Sequence, residues 1–352
     1  MNISTLVDSW EKSGTNFKEM KKFFMDYDAS FKEHPAVKSS ALELLSYADK
    51  VSDDDNLRFF ILRDDYLLDI KEKFQAQVGS IKKQDYPSQL LDEVVDTNMM
   101  LRVHEGKGSV NVLLFFVSRM ALRSFTQVLH CKCDQILSKR DLFSDMFLAN
   151  SFKKEGNDNP TYSIRLIYRE ENGIKKIFKV SSSKQTLIPY SDMCDVIEAL
   201  KIEDKEIKYT ISNSMCTILV RLNENEISPC LILQNSYTGD SSFSVSYGIT
   251  DKEFNYLVGE TIGCYSHDGC YDKANVIAIA KASKDGYQKR IEEKIAEFLN
   301  KKDELNLEVE VTECLASLGH KNKFNKFCKE YLTGKILAPK DFLCEILKLP
   351  LP

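Results

Sequence analysis

The chain has 352 residues, 43% hydrophobic and 29% charged, a globular composition with enough apolar material for a buried core without disulfide or metal staples. A formal net charge of -5 excludes the global basic excess of a bulk nucleic-acid binder, while a local basic patch remains compatible with it. At about 150 residues per domain, the length suggests roughly two domains. The N-terminal MNISTLVDSWEKSG has neither a basic n-region nor a long apolar core, so no signal peptide is expected. The most apolar run, Val112 to Val117, is too short to span a bilayer, and Arg119 follows it. Ten cysteines without framework spacing read as reduced thiols. The expectation is a soluble, cytoplasmic protein with no membrane contact.

Helical spacing dominates the first 150 residues. Asn16 to Asp28 sets Phe17, Met20, Phe24 and Tyr27 on one stripe, and Val37 to Ala48 does the same with Val37, Ala41, Leu44, Leu45 and Ala48. Helices are also expected over Leu57 to Phe74, over Ser88 to Val103 just after Pro87, and over Val110 to Leu148 as one long helix or two shorter ones. KKEGNDNP at 153–160 reads as a linker. Beyond it, Tyr162 to Arg169 and Ile174 to Val180 are strand-like and flank Asn172-Gly173, a pair suited to a tight hairpin turn. Asp192 to Leu200 is a short helix that Asp192 can cap. Met215 to Leu222, Ile227 to Gln234 and Ser241 to Ile249 form an antiparallel meander. Glycines 259, 263 and 269 interrupt the next stretch. Helices are expected over Gln288 to Leu305, Val309 to Leu318, Phe324 to Leu332 and Asp341 to Leu347.

The stretch LILQNSYTGDSSFSVSYGI, Leu231 to Ile249, is the clearest local signal. Its short apolar run leads into a polar turn, after which Phe243, Val245 and Tyr247 alternate with serines at the period of a half-buried strand. Together with IFKVSSSKQTLIPYSDMCDVIEAL, a strand leading through a polar loop into a helix after a tyrosine, and a charged amphipathic helix further on, this hairpin resembles the phage- and plasmid-borne proteins of domain-of-unknown-function family 932. The resemblance covers residues 162 to about 305. Family members follow the hairpin with an Arg and a Cys-Asn-Gly element; here Thr250-Asp251 follows, and the nearest cysteine motif is CYSHDGC at 264–270. The resemblance implies a phage or mobile-element setting and no established activity.

No complete motif for a known chemistry is present. The turn residues Asn235, Ser236, Thr238 and Asp240 either bond their own backbone, as Asn and Asp do in turns, or form a loop that contacts a ligand or partner from a rigid hairpin. Cys264, His267 and Cys270 stand at C-x2-H-x2-C spacing with Asp268 between, which is short of the four ligands a structural zinc needs. His130, Cys131 and Cys133 could complete such a set or belong to a half-buried helix. Cysteine–histidine catalysis within 264–270 would need a base oriented by a third group. Gly106-Lys107-Gly108 lacks the full phosphate-loop pattern. From Gly319 to Lys340, six lysines stand against Glu330 alone, a net of +5 (6 - 1). Lys321, Lys323, Lys326 and Lys329 are either a solvated face or contacts to nucleic-acid phosphates.

The fold expected is therefore α+β: a helical N-terminal region over 1–152, an antiparallel sheet domain over 161–285, and C-terminal helices over 286–352. The function expected is non-enzymatic binding of nucleic acid or a host protein for a phage or related element, with no cofactor and no metal. The alternative is a metal-dependent or cysteine-based enzyme built around residues 264–270.

Overall fold

A computed structural model describes residues 5–38, 42–47, 56–61, 77–82, 99–104, 112–128, 163–171, 174–182, 185–202, 206–238, 241–267, 271–307, 309–310 and 336–348. In chain order the elements are β1 (Glu11–Gly14), α1 (Phe17–Ser30), β2 (Phe31–Lys38), β3 (Leu42–Tyr47), β4 (Asn56–Ile61), β5 (Gln77–Lys82), β6 (Met99–His104), β7 (Val112–Val117) and α2 (Arg119–Val128). There follow β8 (Ser163–Glu171), β9 (Ile174–Ser182), α3 (Ser191–Ala199), β10 (Ile207–Ser212), β11 (Cys216–Arg221), β12 (Ser228–Asn235), β13 (Phe243–Thr250) and β14 (Tyr256–Tyr265). The last are α4 (Lys273–Leu299), β15 (Leu305–Asn306), β16 (Ile336–Leu337) and α5 (Pro339–Lys348). The fold class is α+β. A six-stranded antiparallel sheet has the order β1-β10-β11-β12-β13-β14, and an eight-stranded sheet the order β2-β8-β9-β7-β6-β3-β4-β5.

The six-stranded sheet carries the main core. Ile207, Tyr209 and Ile211 alternate inward along β10; Ile218 and Val220, Leu231 and Leu233, and Phe243, Val245 and Tyr247 continue the same face across β11, β12 and β13. The expected hairpin pairs Leu231 with Tyr247 and Leu233 with Val245, and the three expected inward residues are at most 1% exposed. Each buried side chain of this size contributes about 1.5–3 kcal/mol. Three helices cover that face. α1 adds Met20, Phe24 and Tyr27, α3 adds Met193, Val196 and Ile197, and the first turns of α4 add Val276 and Ala280. Asn16 starts α1 by accepting the Glu19 N–H at 3.1 Å. The start of α3 is capped from elsewhere: Asp28, at the end of α1, accepts the Tyr190 and Ser191 N–H groups at 2.9 and 2.8 Å. Asp192, the cap expected from sequence, instead accepts from Tyr271 and Lys273 at 2.8 and 3.0 Å, tying α3 to the start of α4.

The helical N-terminal region is corrected outside α1 and α2. The helices expected at Val37 to Ala48, Leu57 to Phe74, Ser88 to Val103 and the start of Val110 to Leu148 are replaced, where described, by β2, β3, β4, β6 and β7. The physical reason is that a short apolar run satisfies both periods. VLLFFV in β7 is a continuous apolar run because the strand lies inside its sheet between β6 and β9, with Phe115, Phe116 and Val117 all buried. β8 and β9 pair as an antiparallel hairpin, as their flanking of Asn172-Gly173 suggested. The glycine-interrupted stretch is a strand through Gly259 and Gly263, and α4 begins at Lys273, well before the helix expected from Gln288. The expected helix Phe324 to Leu332 and all but two residues of the one at Val309 lie outside the described residues.

The chain before α1 joins the two sheets. It enters the six-stranded sheet as β1, beside β10. Asp8, just upstream, ion-pairs at 2.7 Å with Lys176 of β9 and accepts the Arg119 N–H at the start of α2 at 3.0 Å. Nearby, Arg169 of β8 is 2% exposed and donates to Asn213 Oδ1 at 2.9 Å, an oxygen that also accepts from the Tyr27 hydroxyl at 2.9 Å. Its guanidinium lies 4.5 Å from the Tyr27 ring centroid and 5.2 Å from that of Phe31.

Candidate functional site

An apolar concavity of about 530 Å³ lies where β13 and β14 meet α4 and α5. Ile249 and Leu257 come from the strands, and Ile291, Ile295 and Phe298 from the second half of α4. α5 closes one end, with Leu343 in the wall and Phe342 against Phe298 at a ring separation of 5.9 Å. A concave, mainly apolar wall with a few polar groups at its rim is the general form of a binding site.

The local sequence explains why this concavity is open. β14 ends the six-stranded sheet, and its pairing with β13 is interrupted twice, between Val245 and Ser246 and between Tyr247 and Gly248. Such bulges put an extra residue on one strand and re-aim its side chains. The partners step from Val258 to Glu260 and from Thr261 to Gly263, so Gly259 and Ile262 are the extra residues. A Cβ on Gly248 would sit 2.0 Å from the Leu257 carbonyl oxygen, and one on Gly259 would sit 3.0 Å from that of Tyr247, so the strands cross here only without side chains. The four residues Val258 to Thr261 are consecutively exposed, with Val258 at 52%.

The polar rim is sparse. Tyr287 of α4 stacks on Tyr247 with centroids 5.2 Å apart and donates to Glu260 Oε1 at 2.6 Å, which raises its phenol pKa. Arg290 approaches the other Glu260 oxygen at 3.5 Å and stacks over Tyr287. Glu260 therefore joins the sheet edge to α4. Lys294 lines the same cleft, is exposed, and has no hydrogen bond or ion pair among the described residues. No family model matches the chain, and no curated protein or solved structure matches it either.

The structure places the residues singled out from sequence as follows. Asn235, Ser236 and Thr238 are fully buried. Asn235 donates to the Ile188 carbonyl at 2.8 Å, the Ser236 and Thr238 hydroxyls meet at 3.1 Å, and between them Tyr237 stacks on Phe31 of β2 at 4.0 Å. The hairpin tip is thus wedged against the eight-stranded sheet. Asp240 lies outside the described residues, as do Cys270, Asp268, His130, Cys131, Cys133, Lys107 and Lys321, Lys323, Lys326 and Lys329. Lys340, at the end of the basic stretch, pairs with Glu226 at 2.6 Å.

Cys264 is exposed on β14, whereas His267 is 6% exposed and held in place on both sides. Its Nδ1 lies 2.9 Å from the Thr186 carbonyl and its own carbonyl accepts the Thr186 N–H at 2.8 Å. An Nδ1 facing a carbonyl carries the proton. Burial pushes the Cys194 and Cys230 thiols up to about 12, so neither is a thiolate nucleophile at neutral pH. No group of three or more His, Cys, Asp or Glu able to hold a metal occurs among the described residues, and no described helix is long and apolar enough to cross a membrane.

A second, polar concavity of about 640 Å³ lies at the far end of β11. There Arg221, 3% exposed, ion-pairs with Glu206 at 2.9 Å and donates to the Asn225 carbonyl. Phe254 lines the same pocket with φ at 63°, in a turn that Asp251 holds by accepting the Glu253 and Asn255 N–H groups, each at 2.9 Å. The apolar cleft was missed in the sequence because Gly259 and Gly263 read as interruptions. The available signal was a strand of ten residues, YLVGETIGCY, with a single charge and neither Lys nor Pro.

Proposed function

We propose that this is a non-enzymatic binding protein that holds part of a host protein in the cleft between β14 and α4. The observation that carries this reading is the apolar concavity beside an exposed sheet edge, with Lys294 uncommitted at its rim. Apolar walls suit side chains of a protein partner better than a phosphate backbone, whose recognition rests on cations and donors. The resemblance of residues 162 to about 305 to the phage and plasmid proteins of family 932 supports a mobile-element setting and action in the host cytoplasm. Pull-down from infected host cells, with and without nuclease, tests the reading. Capture of protein should survive nuclease and fail in the Arg290→Glu/Lys294→Glu double variant; capture lost to nuclease, or unchanged in that variant, overturns it.

A second reading, nucleic-acid binding, is favoured by the net of +5 (6 - 1) between Gly319 and Lys340. Four phosphate contacts from Lys321, Lys323, Lys326 and Lys329 would give a slope of log K against log salt near about -3.6 on duplex DNA. Fluorescence anisotropy over a salt series measures that slope.

A further inference from the structure

We infer that the occupant of the cleft is a short, extended, acidic segment of a partner chain that pairs with the outer edge of β14 alongside the cleft; this rests on the reading of the cleft proposed above. Three observations lead there. The first is the state of the edge. A terminal strand offers unpaired N–H and C=O groups, and proteins ordinarily blunt such edges with Lys, Pro or bulges. β14 has no Lys and no Pro, its two bulges leave Tyr256 to Val258 regular, its one charge is Glu260, and Val258 stands 52% exposed beside the cleft.

The second is the position of the bulges. The irregularities at Gly259 and Ile262 divide the ladder, leaving two regular stretches for an added segment, Tyr256 to Val258 and Gly263 to Tyr265, of which the first is the one beside the cleft. Leu257 and Val258 both stand in the cleft wall. A short ladder gives register, and alternate side chains of the segment entering the cleft give specificity.

The third is charge. Lys294 has no ion pair among the described residues, and Arg290 holds Glu260 only at 3.5 Å. The one acidic side chain of β14 is already bonded to Tyr287. A second copy of β14 therefore brings no free carboxylate to Lys294, whereas an acidic partner segment does.

The probe is a labelled hexapeptide with valine at alternate positions and aspartate between them, read by anisotropy and by hydrogen exchange of the whole protein. Four controls accompany it: the same peptide with its alternate amides N-methylated, a version with lysine for aspartate, and the Val258→Glu and Lys294→Glu variants. Both substituted positions are exposed, so folding is retained. Affinity should fall at least tenfold in each variant and with both altered peptides, and the outward-facing amides of residues 256–258 should gain protection. Equal binding of the N-methylated peptide, or no protection on β14, overturns strand pairing and leaves the cleft as the site. Equal binding of the lysine peptide overturns the acidic partner. Protection of the same amides by self-association without peptide assigns the edge to a second copy and overturns the inference. Nuclease-resistant capture from cells with neither peptide bound overturns this inference alone, whereas failure of both experiments overturns the cleft reading itself.

Discussion

The tip of the β12–β13 hairpin and the edge strand β14 invert what their residue types suggest. The tip is polar, with Asn235, Ser236 and Thr238, yet it is fully buried and its groups bond to the Ile188 carbonyl and to one another. The edge is largely apolar, with Leu257, Val258 and Ile262, yet its middle is exposed. The difference comes from what faces each segment. The tip meets Phe31 and Tyr190, which cross to it from other parts of the chain. The edge has no further strand beyond it among the described residues. Polarity in a turn therefore reports local hydrogen bonding, whereas availability to a partner depends on which elements happen to pack there.

The largest effect is expected at the sealed end of this comparison. Val245→Asp places a carboxylate at a position 1% exposed within a cluster of buried apolar side chains, and should cost about 3–5 kcal/mol in urea denaturation. A loss below about 1 kcal/mol would mean the face is not closed.

Next comes Asp28, beside the hairpin tip. Burial pushes its carboxyl up to about 6 from 3.8, against the pull of the two N–H groups it accepts. A raised carboxylate pKa stabilises the fold fully below the unfolded value and loses that contribution as pH rises through the folded value. Asp28→Asn keeps an acceptor without the charge. The variant should therefore match the parent near pH 3.8 and gain on it up to about pH 6, reaching at most about 3 kcal/mol above that. Parallel urea titrations across that window check it; a constant difference between the two proteins would contradict the shift.

Asn235→Ala removes a buried amide that serves the Ile188 carbonyl, and should cost about 1–3 kcal/mol. The smallest stability effect belongs to the open edge: Val258→Lys should change stability by less than about 0.5 kcal/mol, because the side chain is 52% exposed. A large loss there would show that Val258 is covered.

These effects divide along the same line as what the sequence reveals. The β12–β13 hairpin was legible because Phe243, Val245 and Tyr247 alternate strictly and a turn cluster precedes them. α1 was legible because Met20, Phe24 and Tyr27 fall on one stripe and Asn16 opens it. β3, β6 and β7 were not, because runs such as VLLFFV carry no period when both faces are buried. The capping of α3 by Asp28 was invisible because the acceptor lies more than 160 residues from the N–H groups it serves. The same holds for the Lys176–Asp8 pair, which no local pattern announces. The cleft was hidden for a third reason. Its form depends on two bulges, and glycine in a strand reads equally as a break or as a close backbone crossing.

The most direct measurement is residue-resolved hydrogen exchange of the free protein across β13 and β14. If β14 is an open edge beside a vacant cleft, amides of β13 exchange slowly throughout. Along residues 256–260 those bonded to β13 should be protected while the outward-facing ones exchange orders of magnitude faster. Uniform protection of β14 equal to that of β13 in the monomer would mean that the edge is already paired, and would contradict the assignment of this surface to a partner.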